Sequence, residues 1–197
     1  MAEPLDLEQL RAAITCGDPS RSMPALAALR EVSVEEAVPL LLLGLEQEAF
    51  LVRSLSCAGL GVKCHPDGRE ALVRALEHDG DVNVRAEAAN SLVSHGLEQA
   101  WPLLLSAFRR DGQWLLRCSV LSAVAEHPEA RPEDLLELAT LALADGDGTV
   151  RVGGAEILGR LVQEAGSTAE PARALLARLQ DDPDHRVVAA ALNGLQA

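Results

Sequence analysis

Apolar residues return along this chain every three or four positions, the spacing of one helix face. The runs they form are separated by short polar turns, many of them rich in Asp and Gly. No stretch reads as a strand, so the pattern predicts an all-α protein. The runs also repeat. Four of them carry an apolar residue followed by Arg: Val52-Arg53, Val84-Arg85, Leu116-Arg117 and Val150-Arg151, with the arginines 32, 32 and 34 residues apart. A further copy, DPDHRVVAAALNGL, has Val187 at the apolar position and its Arg displaced to Arg186. A second phrase lies between these. EEAVPLLLLGL (35–45) matches EQAWPLLLSAF (98–108), with Pro39 and Pro102 in the same slot, 63 residues apart. Self-similarity at such a period marks a stack of small helical units. The unit is a helix A, a turn, a helix B and another turn.

Six helix pairs follow from this register. A helices are predicted near 5–16, 34–47, 66–78, 97–110, 132–144 and 168–180, and B helices near 21–32, 50–64, 82–95, 113–127, 148–164 and 184–196. Ser33-x-x-Glu36 has the form of a capping box. Asp81 and Asp184 suit N-caps, where a side-chain oxygen accepts an orphan backbone N–H. Pro39 and Pro102 each remove a donor inside an A helix and predict a bend there. The first pair is degenerate, with Met23-Pro24 in place of the apolar-Arg step, as expected of an end repeat. A single repeat cannot bury its own apolar face, so 1–197 is expected to form one array.

Composition narrows the function more than the fold. Thirty acidic residues stand against seventeen basic ones, a net charge of −13, and only Lys63 among the basic residues is a lysine. Aromatics are 2 % and Tyr is absent. A phosphate-binding face needs basic residues and single-strand binding needs aromatic platforms, so nucleic acid is not an expected partner. Anionic membrane surfaces repel this charge. The longest apolar run, 37–45, falls well short of the roughly 20 residues a membrane span needs, so no insertion is expected. The acidic start MAEPLDLEQL lacks the positive charge of a targeting peptide. Cys16, Cys57, Cys64 and Cys118 show no C-x-x-C spacing, which suits reduced thiols and a cytoplasmic location.

The D-x-x-V-R-x-x-A-A-x-A-L phrase, clearest at 81–92, together with the Pro-bearing A helices, resembles HEAT repeats. The short units are similar to the HEAT-like subgroup in phycobilisome lyase subunits of the E/F type. The resemblance implies an α-α superhelix, a solenoid of about six HEAT-like helix pairs. It also implies that the B helices line the concave face.

The B helices carry most of the candidate functional residues. Arg53, Arg85, Arg117 and Arg151 form a ladder, one per B helix. They are expected to be structural, bridging turn carboxylates such as Asp79, Asp81, Asp111, Asp145 or Asp147; the competing reading is a row of anion-binding groups. With Val84, Ala88, Ala89 and Leu92 as core, helical spacing turns Ala86, Glu87, Asn90 and Ser94 outward. Projected along the array, this register gives a partner-binding face of Leu55, Ala58, Val62, Glu87, Asn90, Ser119, Ser122 and Glu156. Most of these side chains are small, leaving room for a partner's helix; Leu55 and Val62 offer apolar area, and Glu87 and Glu156 add an acidic bias that favours a partner with Arg or Lys on the matching face.

Cys57, Cys64 and His65 carry metal-ligand chemistry. However, seven helical residues span about 10.5 Å, too far for one ion, so no metal is expected. His65, His95 and His127 fall near B-helix C-termini and read as dipole-favoured caps. Gly59, Gly61, Gly153 and Gly154 inside B helices imply close packing or close approach of a partner. No G-x-S-x-G, Walker loop or H-E-x-x-H occurs, so no catalytic residue and no cofactor is assigned. The leading expectation is a scaffold or adaptor binding a protein partner on its B-helix face. The alternative implied by the resemblance is a subunit of a phycobilin lyase or a related phycobilisome-processing chaperone. Its partner is then a phycobiliprotein or a second HEAT-like subunit, and it is the one reading that makes the chain part of an enzyme. A second alternative, an accessory protein of iron–sulfur assembly, rests on an exposed Cys118.

Overall fold

The computed structural model describes residues 6–196. Twelve α-helices and no strand occur among them: α1 (Leu7–Ile14), α2 (Pro19–Ala28), α3 (Val34–Leu45), α4 (Phe50–Val62), α5 (Pro66–His78), α6 (Val82–Val93), α7 (Leu97–Arg110), α8 (Trp114–Ala125), α9 (Pro132–Leu143), α10 (Gly148–Gln163), α11 (Ala169–Arg178) and α12 (His185–Leu195). The fold is all-α, and odd and even labels are the A and B helices of successive pairs. None of these helices is long and apolar enough to cross a membrane. The chain forms two compact units, Met1–Arg109 and Arg110–Ala197.

Local chemistry explains where the helices start. Asp6, Asp18, Asp81, Asp147 and Asp184 each accept the backbone N–H two residues ahead, at 2.7–3.0 Å. Each thereby satisfies one orphan donor of a first turn. At α3 the Glu36 N–H reaches the Ser33 hydroxyl at 3.4 Å, and that hydroxyl donates to the Glu36 carboxylate at 2.7 Å. Helix α2 begins at Pro19, earlier than the expected 21, because Asp18 caps it and a first-turn Pro loses no hydrogen bond. Both α2 and α11 end in a 3-10 turn, Leu29–Glu31 and Leu179–Asp181. Pro24, Pro39 and Pro102 lie inside α2, α3 and α7, which continue past them.

Packing within each unit follows the repeat. In the first unit α2 packs on α4 and α4 on α6, while α1, α3 and α5 form the outer row against them. In the second, α10 lies between α8 and α12 and is backed by α9 and α11. The apolar residues of the repeated step, Val52, Val84, Leu116, Val150 and Val187, are all buried. Each B helix thus drives one fixed position into the core. Helices α10 and α12 approach so closely that a Cβ placed on Gly194 comes within 2.8 Å of the Gly159 Cα. Close packing of that kind also meets Gly61 and Gly154, where an added Cβ lies 2.9 Å from Ser91 and 2.8 Å from Ala142.

Candidate functional site

The recurring geometry of the B helices has two seams, one at each end. The first is the arginine ladder. Arg53 grips Asp79 through two parallel bonds, Nε–Oδ2 at 2.8 Å and Nη2–Oδ1 at 3.0 Å. Its third nitrogen donates to the Gln47 and Glu48 carbonyls of the turn before α4. Arg117 donates from Nη2 to Asp145 Oδ1 at 3.0 Å, with its Nε 2.5 Å from Oδ2 as an ion-pair contact, and Arg151 meets Asp182 through two parallel bonds, both at 2.9 Å. Arg85 donates to the Asp79 carbonyl, and Arg151 to that of Asp145. The turns at 79–81 and 145–147 are therefore held from both sides, by the preceding Arg on the carboxylate and by the following Arg on the backbone, whereas at 182–184 the following Arg186 bonds the Asp184 carboxylate instead. The same carboxylate accepts the N–H two residues on, from Asp81, Asp147 or Asp184. In the D-x-D turns the first Asp pairs and the second caps. Of the carboxylates expected as partners, Asp79 and Asp145 take the bidentate role, while Asp81 and Asp147 are N-caps. Asp182 was not foreseen; its signal was the repetition of D-x-D at 79–81, 145–147 and 182–184.

The second seam lies at the C-terminal ends of the B helices, where carbonyls lack intrahelical donors. The Lys63 ammonium donates to the carbonyls of Arg30 and Val32, at 2.9 and 2.5 Å. His95 Nε2 lies 3.0 Å from the Leu60 carbonyl. Arg160 donates to the Ala125 carbonyl and pairs with Glu164 at 2.7 Å. In each case a side chain of one B helix reaches the C-terminal end of the preceding pair. The expectation that the histidines cap helix C-termini as cations needs correcting. His65 and His127 instead accept N–H groups of the following segment on Nδ1, from Asp67 at 3.2 Å and Glu129 at 3.3 Å. Both rings therefore serve the segment that follows them rather than the helix end behind them.

Between the seams lies the B-helix face, and each unit has a groove there. In the first unit, a groove of about 390 Å³ runs between α2 and α4, with Leu26, Leu29 and Leu41 as its apolar floor. Leu55, Ala58 and Val62 line it, with Arg30 and Lys63 at the margin. In the second unit, Ser122 and Glu156 line a smaller groove of about 220 Å³ between α8 and α10, bounded by Glu126 and Arg160. Glu87 and Asn90 are half-buried on α6 and Ser119 is half-buried on α8; none of the three lines either groove. Burial pushes the Glu87 carboxyl above its usual range, against a weak bond from the Ser91 hydroxyl at 3.4 Å. Ala86, expected to face outward, is buried.

A third groove, about 450 Å³, opens on the A-helix side between α3 and α5, lined by Leu42, Leu45, Glu46, Arg74 and His78 among others. Sequence reasoning missed it because it projected only the B helices.

Burial holds two of the thiols back. All four cysteines are free. Burial pushes the Cys57 thiol up to about 12. Cys118, expected to be exposed, is half-buried, and that burial raises its thiol above the ordinary value. A thiol held protonated is a poor nucleophile and a poor metal ligand. Among the described residues no group of three His, Cys, Asp or Glu side chains is placed to hold a metal ion.

The family model of HEAT repeats matches residues 38–125, a little under half of the chain, from within α3 to the end of α8. No curated protein matches the chain.

Proposed function

We propose that this chain is a non-catalytic scaffold, a HEAT-repeat adaptor of the cytoplasm that holds a protein partner on its B-helix face. The observation that carries the reading is the placement of the grooves. Each unit opens one on its B helices, and five of the eight residues projected as partner-binding, Leu55, Ala58, Val62, Ser122 and Glu156, line them. Helical repeat surfaces of this kind commonly bind proteins. The ladder arginines are tied into turn carboxylates and carbonyls, which favours a structural role over anion binding. Four free thiols suit a reducing compartment.

The double variant Ala58→Arg, Ser122→Arg tests it by placing bulk and charge in both grooves. A partner captured from the native cell by the tagged wild-type chain should bind the variant at least about tenfold more weakly, a loss of about 1.4 kcal/mol. Circular dichroism and thermal midpoint should be unchanged. An equally tight complex with the folded variant overturns this face and directs attention to the groove between α3 and α5.

A further inference from the structure

Helix α4 differs from the other B helices. Leu51, Leu55, Ala58 and Val62 are spaced four, three and four apart, so they form one line along its open face. Val62 is 61 % exposed and Leu51 47 % exposed. The same four places in α6 hold Asn83, Glu87, Asn90 and Ser94, and in α10 they hold Thr149, Gly153, Glu156 and Arg160. The apolar line is thus particular to α4, which also buries Val52, Cys57 and Leu60 on its opposite side. A helix apolar on both sides needs a second partner surface. The line runs about 17 Å, three turns, and Leu51 lies beyond the α2–α4 groove. A linear ligand covers such a surface better than a compact one.

Charge identifies the ligand further. In a chain of net charge −13, no carboxylate lines this groove, while Arg30 and Lys63 do. Arg30 is exposed. The groove in the second unit carries two carboxylates, Glu126 and Glu156, beside one cation, Arg160, which is paired with Glu164. The site is therefore a cationic-rimmed apolar slot on an acidic molecule. Matching potentials set both the choice of partner and its orientation.

We infer that the α2–α4 groove takes an amphipathic helix from another protein, with its apolar stripe on Leu55, Ala58 and Val62 and an acidic residue against Arg30 and Lys63. This rests on the scaffold reading and narrows it to a partner chemistry. Helix-in-groove recognition uses anchors on the bound helix at i, i+3, i+4 and i+7, and Leu55, Ala58 and Val62 present the matching i, i+3, i+7 line.

A display library of helices of about four turns provides the probe, with Leu fixed at the matching spacing and all flanking positions varied. It is selected on the wild-type chain and counter-selected on Ala58→Arg. The enriched helices should carry Asp or Glu beside the Leu stripe and bind wild type at least about tenfold more tightly than Ala58→Arg. Arg30→Glu should reverse the preference toward Lys and Arg, with the milder Arg30→Gln weakening it should the first variant fold poorly. Enrichment of basic or charge-indifferent helices overturns the proposal, as does failure to enrich any helix over the counter-selection. A wild-type dimer that Ala58→Arg dissociates also overturns it, since the occupant is then a second copy. If these fail while the captured native partner is still lost in the double variant, the scaffold reading stands without the acidic helix.

Discussion

Asp79 shows how much one turn residue holds. Its carboxylate accepts two N–H groups from Arg53 and one from the Asp81 backbone, and its carbonyl accepts a fourth from Arg85. Burial pushes this carboxyl up, but the bonds from Arg53 and Asp81 outweigh it and hold it below the usual carboxylate range. Asp182 is lowered chiefly by its bond from Arg151. A carboxyl depressed on folding stabilises the native state fully above its unfolded value of about 3.9, and that contribution is lost as pH falls through the lower folded value. Asp79→Asn keeps the shape but sets an amide N–H₂ against guanidinium donors. It should cost about 1–3 kcal/mol at neutral pH in urea titrations, with the gap to wild type narrowing as pH falls below the ordinary carboxylate value. A gap that stays constant as the pH is lowered through the acid range places the effect in packing rather than charge. Arg117→Ala should cost a similar 1–3 kcal/mol, since it leaves Asp145 half-satisfied.

At the scale of the helix, periodicity carried most of the information. The expected spans 66–78 and 97–110 coincide with α5 and α7, and the remaining bounds differ by a few residues at the frayed ends. The Asp caps at 81 and 184 were readable because capping is a local bond between a side chain and its own next turn. What could not be read was anything set by a neighbouring helix. Ala86 is buried although its own helix's spacing turns it outward. His65 accepts from the following helix because the chain turns within two residues. The groove between α3 and α5 depends on how two A helices splay, which no single-helix pattern encodes. The Gly159–Gly194 contact is of the same kind. Glycine inside a helix costs about 1 kcal/mol against Ala, so Gly194→Ala gains that much in α12 alone. Its Cβ, however, lies 2.8 Å from the Gly159 Cα, a backbone atom that yields only if α10 and α12 separate. The variant should lose about 1–3 kcal/mol overall, read as a lower urea midpoint. A higher midpoint shows that the two helices part without cost.

At the scale of the whole molecule, two descriptions meet. Contacts divide the chain at Arg109, yet the 32-residue step from Arg85 to Arg117 runs across that division in the sequence. Repeats that cannot bury their apolar faces alone gain stability from their neighbours, and short arrays of them unfold together. The expectation is therefore one cooperative array. The chain carries its own reporters, because its two tryptophans fall one in each unit: Trp101 on α7 in the first and Trp114 on α8 in the second. Trp114→Phe leaves fluorescence that reads the first unit, and Trp101→Phe leaves fluorescence that reads the second. Coupled units give urea curves whose midpoint and slope agree with each other and with the loss of helical dichroism, once each variant's own stability is set by dichroism. Coincidence of such probes is the test of a two-state transition. Two separated fluorescence midpoints within otherwise equally stable variants, each with a shallower slope than the whole chain requires, make Met1–Arg109 and Arg110–Ala197 independent domains. In that case the α2–α4 groove belongs to a module that binds its helix without the second unit.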